Sequence, residues 1–212
     1  MRFRTIIIIV ILLLVVMCTT SFAPVPPPQA IKEKEEIEYY EGEFLPEAPP
    51  ILVQTEDIPT NEQVICKIIS KLQPKINEGD AEEIARLTID LSNEYDLDPY
   101  WMLAIMYTES RFKNDTVSSE GARGLMQLIP STAEFMGMPS EELHTPAINV
   151  DAGFKYYRYL LDRYDNQKMA TIAYNQGPGN VSRGTYRTWY HGRVKEAHEM
   201  ILDKKQEIEE EF

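Results

Sequence analysis

The chain has 212 residues, with 34 acidic against 21 basic side chains and a formal net charge of −13. That balance argues against a nucleic-acid binder, which needs clustered Lys and Arg to meet phosphates. A hydrophobic content of 43% and a charged content of 26% exclude a wholly disordered chain. Two cysteines are too few for a disulfide framework or a four-thiolate zinc site.

The N-terminus comes first. Arg2 and Arg4 precede thirteen unbroken apolar residues, Ile6 to Cys18, followed by Thr19-Thr20-Ser21-Phe22-Ala23. A basic start, a short apolar run and a small-residue ending predict a secretory signal over residues 1–23, cleaved after Ala23. The run is short for a membrane-spanning helix, which needs about 20 apolar residues. A retained signal anchor and a lipid-bearing Cys18 are the alternatives. Residues 24–60 hold eight of the fourteen prolines, seven of them between Pro24 and Pro50, and nine acidic residues against two lysines. Proline and like-charge repulsion both favour an extended tether.

Residues 61–203 predict one predominantly all-α domain. Val64, Ile65, Ile68, Ile69 and Leu72 recur at helical spacing, and Pro74 stops that element. Asp80 with Glu83 suggests a capping box for a helix reaching Leu91. Asp98-Pro99 is a stronger start signal, a cap residue before a proline at the first helical position. Its helix is expected to run to about Phe112. Further helices are expected over 132–136, 150–163, 166–174 and 192–203. Period-two alternation is scarce, so at most a small hairpin is expected over 113–121. Residues 204–212 form a charged tail, whose charge run Glu207 to Glu211 is expected to be frayed and solvated.

The helix beginning at Pro99 carries the first chemical anomaly. Met102, Ile105, Met106 and Glu109 share one stripe. A carboxylate at the end of an apolar stripe must be paired, neutralised or placed at a cleft. Burial and the negative end of the helix dipole both push its pKa upward. An ion pair with Arg111 or another base would answer the same pattern. Two glycine-rich segments follow, Gly121-Ala122-Arg123-Gly124-Leu125-Met126-Gln127 and Ala173-Tyr174-Asn175-Gln176-Gly177-Pro178-Gly179. Glycine lets backbone approach a ligand closely, and Gln127 and Asn175 carry amides suited to sugar hydroxyls and acetamides. Tyr107, Tyr174 and Tyr190 offer apolar faces or hydroxyls, whereas Trp101 reads as core. Asp115 and Glu120, in the loop after Glu109, read as solvated surface. Asp151 reads as an early-turn helix acid. His144, His191 and His198 lack the spacing of a zinc motif, so no metal and no cofactor is expected.

From Glu83 to Val194 the chain resembles the catalytic domain of soluble lytic transglycosylases, of the goose-type lysozyme-like family. The resemblance is carried by Glu109-Ser110, Gly124-Leu125-Met126-Gln127, the segment from Asn149 to Leu160, Ala173-Tyr174-Asn175 with Gly177-Pro178-Gly179, and Tyr190 with Val194. It implies a lysozyme-like helical fold. It also implies cleavage of the β-1,4 bond between N-acetylmuramic acid and N-acetylglucosamine in peptidoglycan. Glu109 matches the family's acid, which protonates the glycosidic oxygen and then takes the proton of the muramoyl C6 hydroxyl as a 1,6-anhydro ring closes. Ser110, Gln127 and Asn175 match positions that contact or orient the sugar or the acid. Tyr190 matches a tyrosine bonded near the acid, Met126 a hydrophobic contact beside it, and Tyr174 belongs to the same substrate-binding set. Two alternatives stay open. One is a muramidase that adds water on the same fold. The other is a wall-docking component of a secretion system or phage particle. The expected setting is export to the periplasm or cell envelope, with glycan strands as the partner, a possible envelope complex beside them, and membrane contact only through the N-terminal segment.

Overall fold

The computed structural model describes residues 59–211, and the signal segment, residues 24–58 of the tether and Phe212 lie outside the described residues. Eight α-helices follow in order: α1 Asn61–Leu72, α2 Glu78–Tyr95, α3 Pro99–Ser110, α4 Pro130–Phe135, α5 Pro146–Tyr164, α6 Gln167–Gln176, α7 Pro178–Ser182 and α8 Trp189–Glu210. A single 3-10 turn, Ser140–Glu142, joins α4 to α5. Among these residues no helix is long and apolar enough to cross a membrane.

The starts of these helices follow local chemistry. The Thr60 hydroxyl accepts from the Gln63 amide, and Gln63 reaches back to the Thr60 amide at 2.8 Å, a full capping box on α1. Asp98 accepts from the amides of Tyr100 and Trp101 at 2.8 and 3.3 Å. The capping box expected at Asp80 is corrected. Asn77 is the cap, accepting from the Asp80 amide at 2.8 Å, so α2 begins earlier and runs to Tyr95. Asp151 is no early-turn acid either. It lies well inside α5 and accepts a 2.5 Å hydrogen bond from the Tyr95 hydroxyl, which ties α5 to α2.

α3 is the central element. Trp101 to Met106 are all buried, so the helix has no solvated face along that stretch and the expected stripe is a complete cylinder. α8 packs along it, α2 packs beside it, and α1 packs against both α2 and α8. α5 and α6 form an antiparallel pair through a tight link, with Asp165 left-handed at the end of α5 and Asn166 capping α6. The Trp101 indole donates to the Tyr157 hydroxyl at 2.7 Å, which lies 2.9 Å from the Thr171 hydroxyl, so this polar thread through the core is satisfied.

One further expectation differs from the structure. The charged tail is helical to Glu210. Ile208 is fully buried, Lys71 pairs with Glu211 at 2.7 Å, and Lys204 and Lys205 pair with Glu207 and Glu209 along the helix. Charges placed three and four apart support a helix rather than fray it. The bound of at most a small hairpin over 113–121 is met, since only isolated bridges join Val117 to Arg123 and Arg123 to Leu128. They fold residues 117–128 into a compact loop with no named strand among the described residues.

Candidate active site

The cleft lies where five pieces of chain meet, the C-terminal end of α3, the loop 117–128, the first turn of α4, the middle of α5 and the C-terminal end of α6, with Tyr190 in the first turn of α8 bonded to Glu109. Its volume is ≈ 320 Å³, and Glu109, Gln127, Tyr156, Tyr174 and Asn175 line it together with Glu120.

Glu109 reaches this place because α3 stops one residue later. Arg111 and Phe112 both adopt left-handed backbone, φ 54° and 61°, which turns the chain sharply away and leaves the last helical turn at the cleft. The Glu109 carboxylate is half-buried, and its Oε1 accepts a 2.6 Å hydrogen bond from the Tyr190 hydroxyl. Arg111, the expected alternative partner, instead lines a separate groove with Tyr107, Arg193 and Glu196. Burial raises the Glu109 pKa from 4.5 to about 7, against the lowering effects of the Tyr190 hydrogen bond and the Arg193 charge. Near neutrality the group is therefore divided between acid and carboxylate, a state from which a proton can be either given or taken. Tyr190 is buried and pushed well above the usual tyrosine range by that burial and by the Glu109 charge, so it stays a phenol and a donor. With Tyr190 on Oε1, the acid proton belongs on Oε2.

The Gly-Leu-Met-Gln segment is held in place by a residue outside the expected site. The buried Asn149 side chain accepts from the Met126 amide at 2.7 Å and donates to the carbonyls of Arg123 and Leu143 at 2.8 and 2.9 Å. From the other side, the Tyr174 hydroxyl donates to the Met126 carbonyl at 2.8 Å. Gly124, at φ 75°, and Gly153 are required by this packing. A Cβ at Gly124 would stand 2.3 Å from Asn149 Nδ2, and one at Gly153 would stand 2.7 Å from Met126 Cγ. Asn149 begins the apolar stripe Asn149, Gly153, Tyr156, Tyr157 and Leu160. A polar side chain on such a stripe is the signal that could have found it.

The expected site residues thus separate by what they touch. Glu109, Gln127, Tyr174 and Asn175 line the cleft, and Tyr190 bonds Glu109. Gln127 is left-handed, φ 48°, and its amide nitrogen donates to the carbonyls of Thr116 and Gly124 at 3.0 and 2.9 Å, which leaves its oxygen for a ligand. Tyr174 offers only its ring, because its hydroxyl is engaged with Met126. Met126 is fully buried beneath the loop. Ser110 is buried as well, its hydroxyl turned back to the Met106 carbonyl at 3.2 Å, and it does not line the cleft.

Glu120 needs the opposite correction. It is exposed, as expected of a loop acid, yet it lines the cleft. The Ser119 hydroxyl, donating at 2.7 Å, and its own backbone amide lower its pKa, so it stays ionised. Asp115 lines a different groove, beside Asp80 and Phe112. Tyr156 also lines the cleft, on the α5 side.

Residues 86–190 match the Transglycosylase SLT domain family model. The folded domain belongs to this family. The matched span holds Glu109, both glycine-rich segments and Tyr190. The chain is 36% identical over 103 residues to the transglycosylase of Enterobacteria phage PRD1, covering 49% of this chain and 38% of that one. It is 39% identical over 97 residues to membrane-bound lytic murein transglycosylase F of Cellvibrio japonicus, covering 42% of this chain and 19% of that one. Among solved structures it is similar to lytic transglycosylase Slt from Pseudomonas aeruginosa, with 27% identity and a TM-score of 0.45, covering 56% of this chain and 22% of that one. The chain therefore spans well under half the length of these relatives.

Removing the Tyr190 hydroxyl isolates its effect on the acid. Tyr190→Phe deletes an interaction that lowers the Glu109 pKa, so that pKa rises. The alkaline limb of the SLT domain's pH–activity profile is expected to move to higher pH, with activity near neutrality falling about tenfold or more as the acid loses its fixed orientation. An unmoved alkaline limb would separate Tyr190 from the titrating group.

Proposed function

We propose that this domain is a peptidoglycan lytic transglycosylase. It cleaves the β-1,4 bond between N-acetylmuramic acid and N-acetylglucosamine and closes a 1,6-anhydro ring. The observation that carries this reading is Glu109, a half-buried carboxyl with a pKa near 7, held by Tyr190 in a cleft inside an SLT domain. In the first step Glu109 Oε2 gives its proton to the glycosidic oxygen as the C1–O bond breaks. In the second the muramoyl C6 hydroxyl bonds to C1 and its proton returns to Glu109. Proton and bond count close without water. An ordinary glycosidase needs a second carboxylate as nucleophile or base. Here the nucleophile is already part of the sugar, and its proximity supplies the effective molarity.

The rest of the cleft supports the same chemistry. The Gln127 oxygen and the Asn175 amide suit acetamido and hydroxyl groups. Residues 178–195 carry Arg183, Arg187, Arg193 and Lys195 and no acidic residue. In an acidic protein this basic stretch, containing Tyr190, suits the carboxylates of stem peptides. Relatives named membrane-bound lytic murein transglycosylases support a cell-envelope setting, with residues 1–23 as the exporting or anchoring segment and 24–60 as the spacer.

One observation favours the muramidase alternative. Glu120 is an ionised carboxylate lining the same cleft, where it would serve as the base that activates water. Glu120→Gln tests this directly on purified peptidoglycan. The single-acid reading expects activity within about threefold of wild type, because an exposed substitution perturbs little. A loss of about 10²-fold or more, the scale of a general base, would move the assignment to hydrolysis.

A further inference from the structure

A polymeric substrate must leave the cleft at its ends. At ≈ 320 Å³ the cleft is at the small end of ligand pockets, which span about 300–1,000 Å³, so a glycan strand continues over the surface beyond it. The α5 side of the cleft ends at Tyr156. From there a line of aromatic rings runs outward. Tyr156 and Tyr159 are stacked, with centroids 6.3 Å apart and planes within 16°. Phe135 meets the Tyr159 ring edge-on at 5.4 Å. Arg163 closes the line, its guanidinium donating to the Tyr159 hydroxyl at 3.0 Å.

Phe135 is the residue that needs explaining. It is 63% exposed. Its short helix is anchored without it, by buried Ala133 and by Met136 and Met138 packed on the core. Ile129, 44% exposed at the start of the same helix, lines the cleft. An exposed apolar ring joined to a cleft-lining residue through a neighbouring ring, as Phe135 is to Tyr156 through Tyr159, marks a binding surface. Flat rings offer area at low conformational cost, and the apolar C–H face of a pyranose is their natural complement.

We propose that Tyr159 and Phe135, continuing from Tyr156, form an outer sugar-binding platform. It holds the saccharide units of the strand that lie beyond those in the cleft. The proposal rests on the peptidoglycan reading above. Continuity with the cleft through Tyr156 selects the same strand as the occupant. Arg163 stands at the outer end, placed for an acidic stem-peptide group.

The test uses the full chain with Glu109→Gln, so that glycan is bound without being cut. Two soluble, uncrosslinked peptidoglycan glycan fragments are titrated calorimetrically: a short one confined to the cleft, and one longer by two disaccharide units. The longer fragment is expected to bind more tightly. Adding Phe135→Ala is expected to weaken the longer fragment about tenfold, a 1.4 kcal/mol effect, and to leave the short one unchanged. Phe135→Tyr restores the difference. An unchanged affinity for the longer fragment, or equal weakening of both, overturns the platform while leaving the peptidoglycan reading intact. Failure of both fragments to bind the Glu109→Gln parent overturns that reading and the platform together. Sedimentation of the parent and the Phe135→Ala variant covers the other occupant. A self-association abolished by Phe135→Ala, with glycan affinity unchanged, assigns the strip to a second copy and overturns the proposal.

Discussion

Glu109→Gln is expected to abolish cleavage of peptidoglycan while leaving the protein folded and, above neutral pH, more stable. The kinetic part follows from the proposed chemistry. One group supplies both the proton that breaks the glycosidic bond and the base that closes the ring. An amide does neither, so a loss of about 10³-fold or more is expected, the upper range for a positioned acid–base. The stability part follows from linkage. Burial raises the folded-state pKa of Glu109 from 4.5 to about 7. The native protein thus holds this proton more tightly than the unfolded chain. The resulting stability is fully present below about pH 4.5 and is lost as pH rises through about 7. At pH 8 the native state carries a buried charge at a cost of up to about 3 kcal/mol, and the partial exposure of the carboxylate to the cleft reduces it. Glutamine removes that charge and can still accept from Tyr190. Thermal unfolding at pH 5 and pH 8 checks this, the variant gaining over wild type only at the higher value. A variant less stable than wild type at both would contradict the electrostatic account of the site.

The largest structural effect is expected at Asn149. Its side chain satisfies the Met126 amide and the carbonyls of Arg123 and Leu143, all from a fully buried position. Asn149→Ala leaves those groups unpartnered and opens a small void. Each buried polar group stripped of its partner costs about 1–3 kcal/mol, so a loss of roughly 3–5 kcal/mol is expected. For a domain of this size that lowers the Tm by about 10 °C or more. Asn149→Asp does not rescue, because a carboxylate accepts from Met126 but faces two carbonyls with no proton to give. Activity falls as well, since the same bonds fix the loop that presents Gln127. Circular dichroism melts of both variants test this, and a shift of only a degree or two would show that the loop is held by other means.

The sequence revealed what is local. The Asp98-Pro99 start of α3 and the apolar spacing of α1 depend on neighbouring residues alone. The glycine-rich segments stood out by composition, and Glu109 by its place on an apolar helix. What stayed hidden depends on tertiary contacts. The end of α3 is set by Arg111 and Phe112 in left-handed backbone, conformations non-glycine residues seldom take. The tail at 204–210 looked solvated because its many charges masked Ile208, which finds a buried place on the folded domain. Ser110 and Met126 followed the resemblance into the expected contact set, yet the structure turns the first back onto its helix and buries the second under the loop. Glu120 and Tyr156 line the cleft from segments whose proximity to Glu109 no spacing could give. Asn149 is intermediate. Its polarity on an apolar stripe was visible, but its three partners were not.

What becomes of the bond after Glu109 protonates it separates ring closure from hydrolysis. Peptidoglycan digested to completion by the full chain, in water enriched with heavy oxygen and read by mass spectrometry, tests it most directly. Ring closure is expected to give muramoyl ends in the 1,6-anhydro form, lighter than a hydrolysed end by one water and free of heavy oxygen. Reducing muramoyl ends carrying the heavy isotope would contradict it, and would place Glu120 and a water where the C6 hydroxyl is proposed to act.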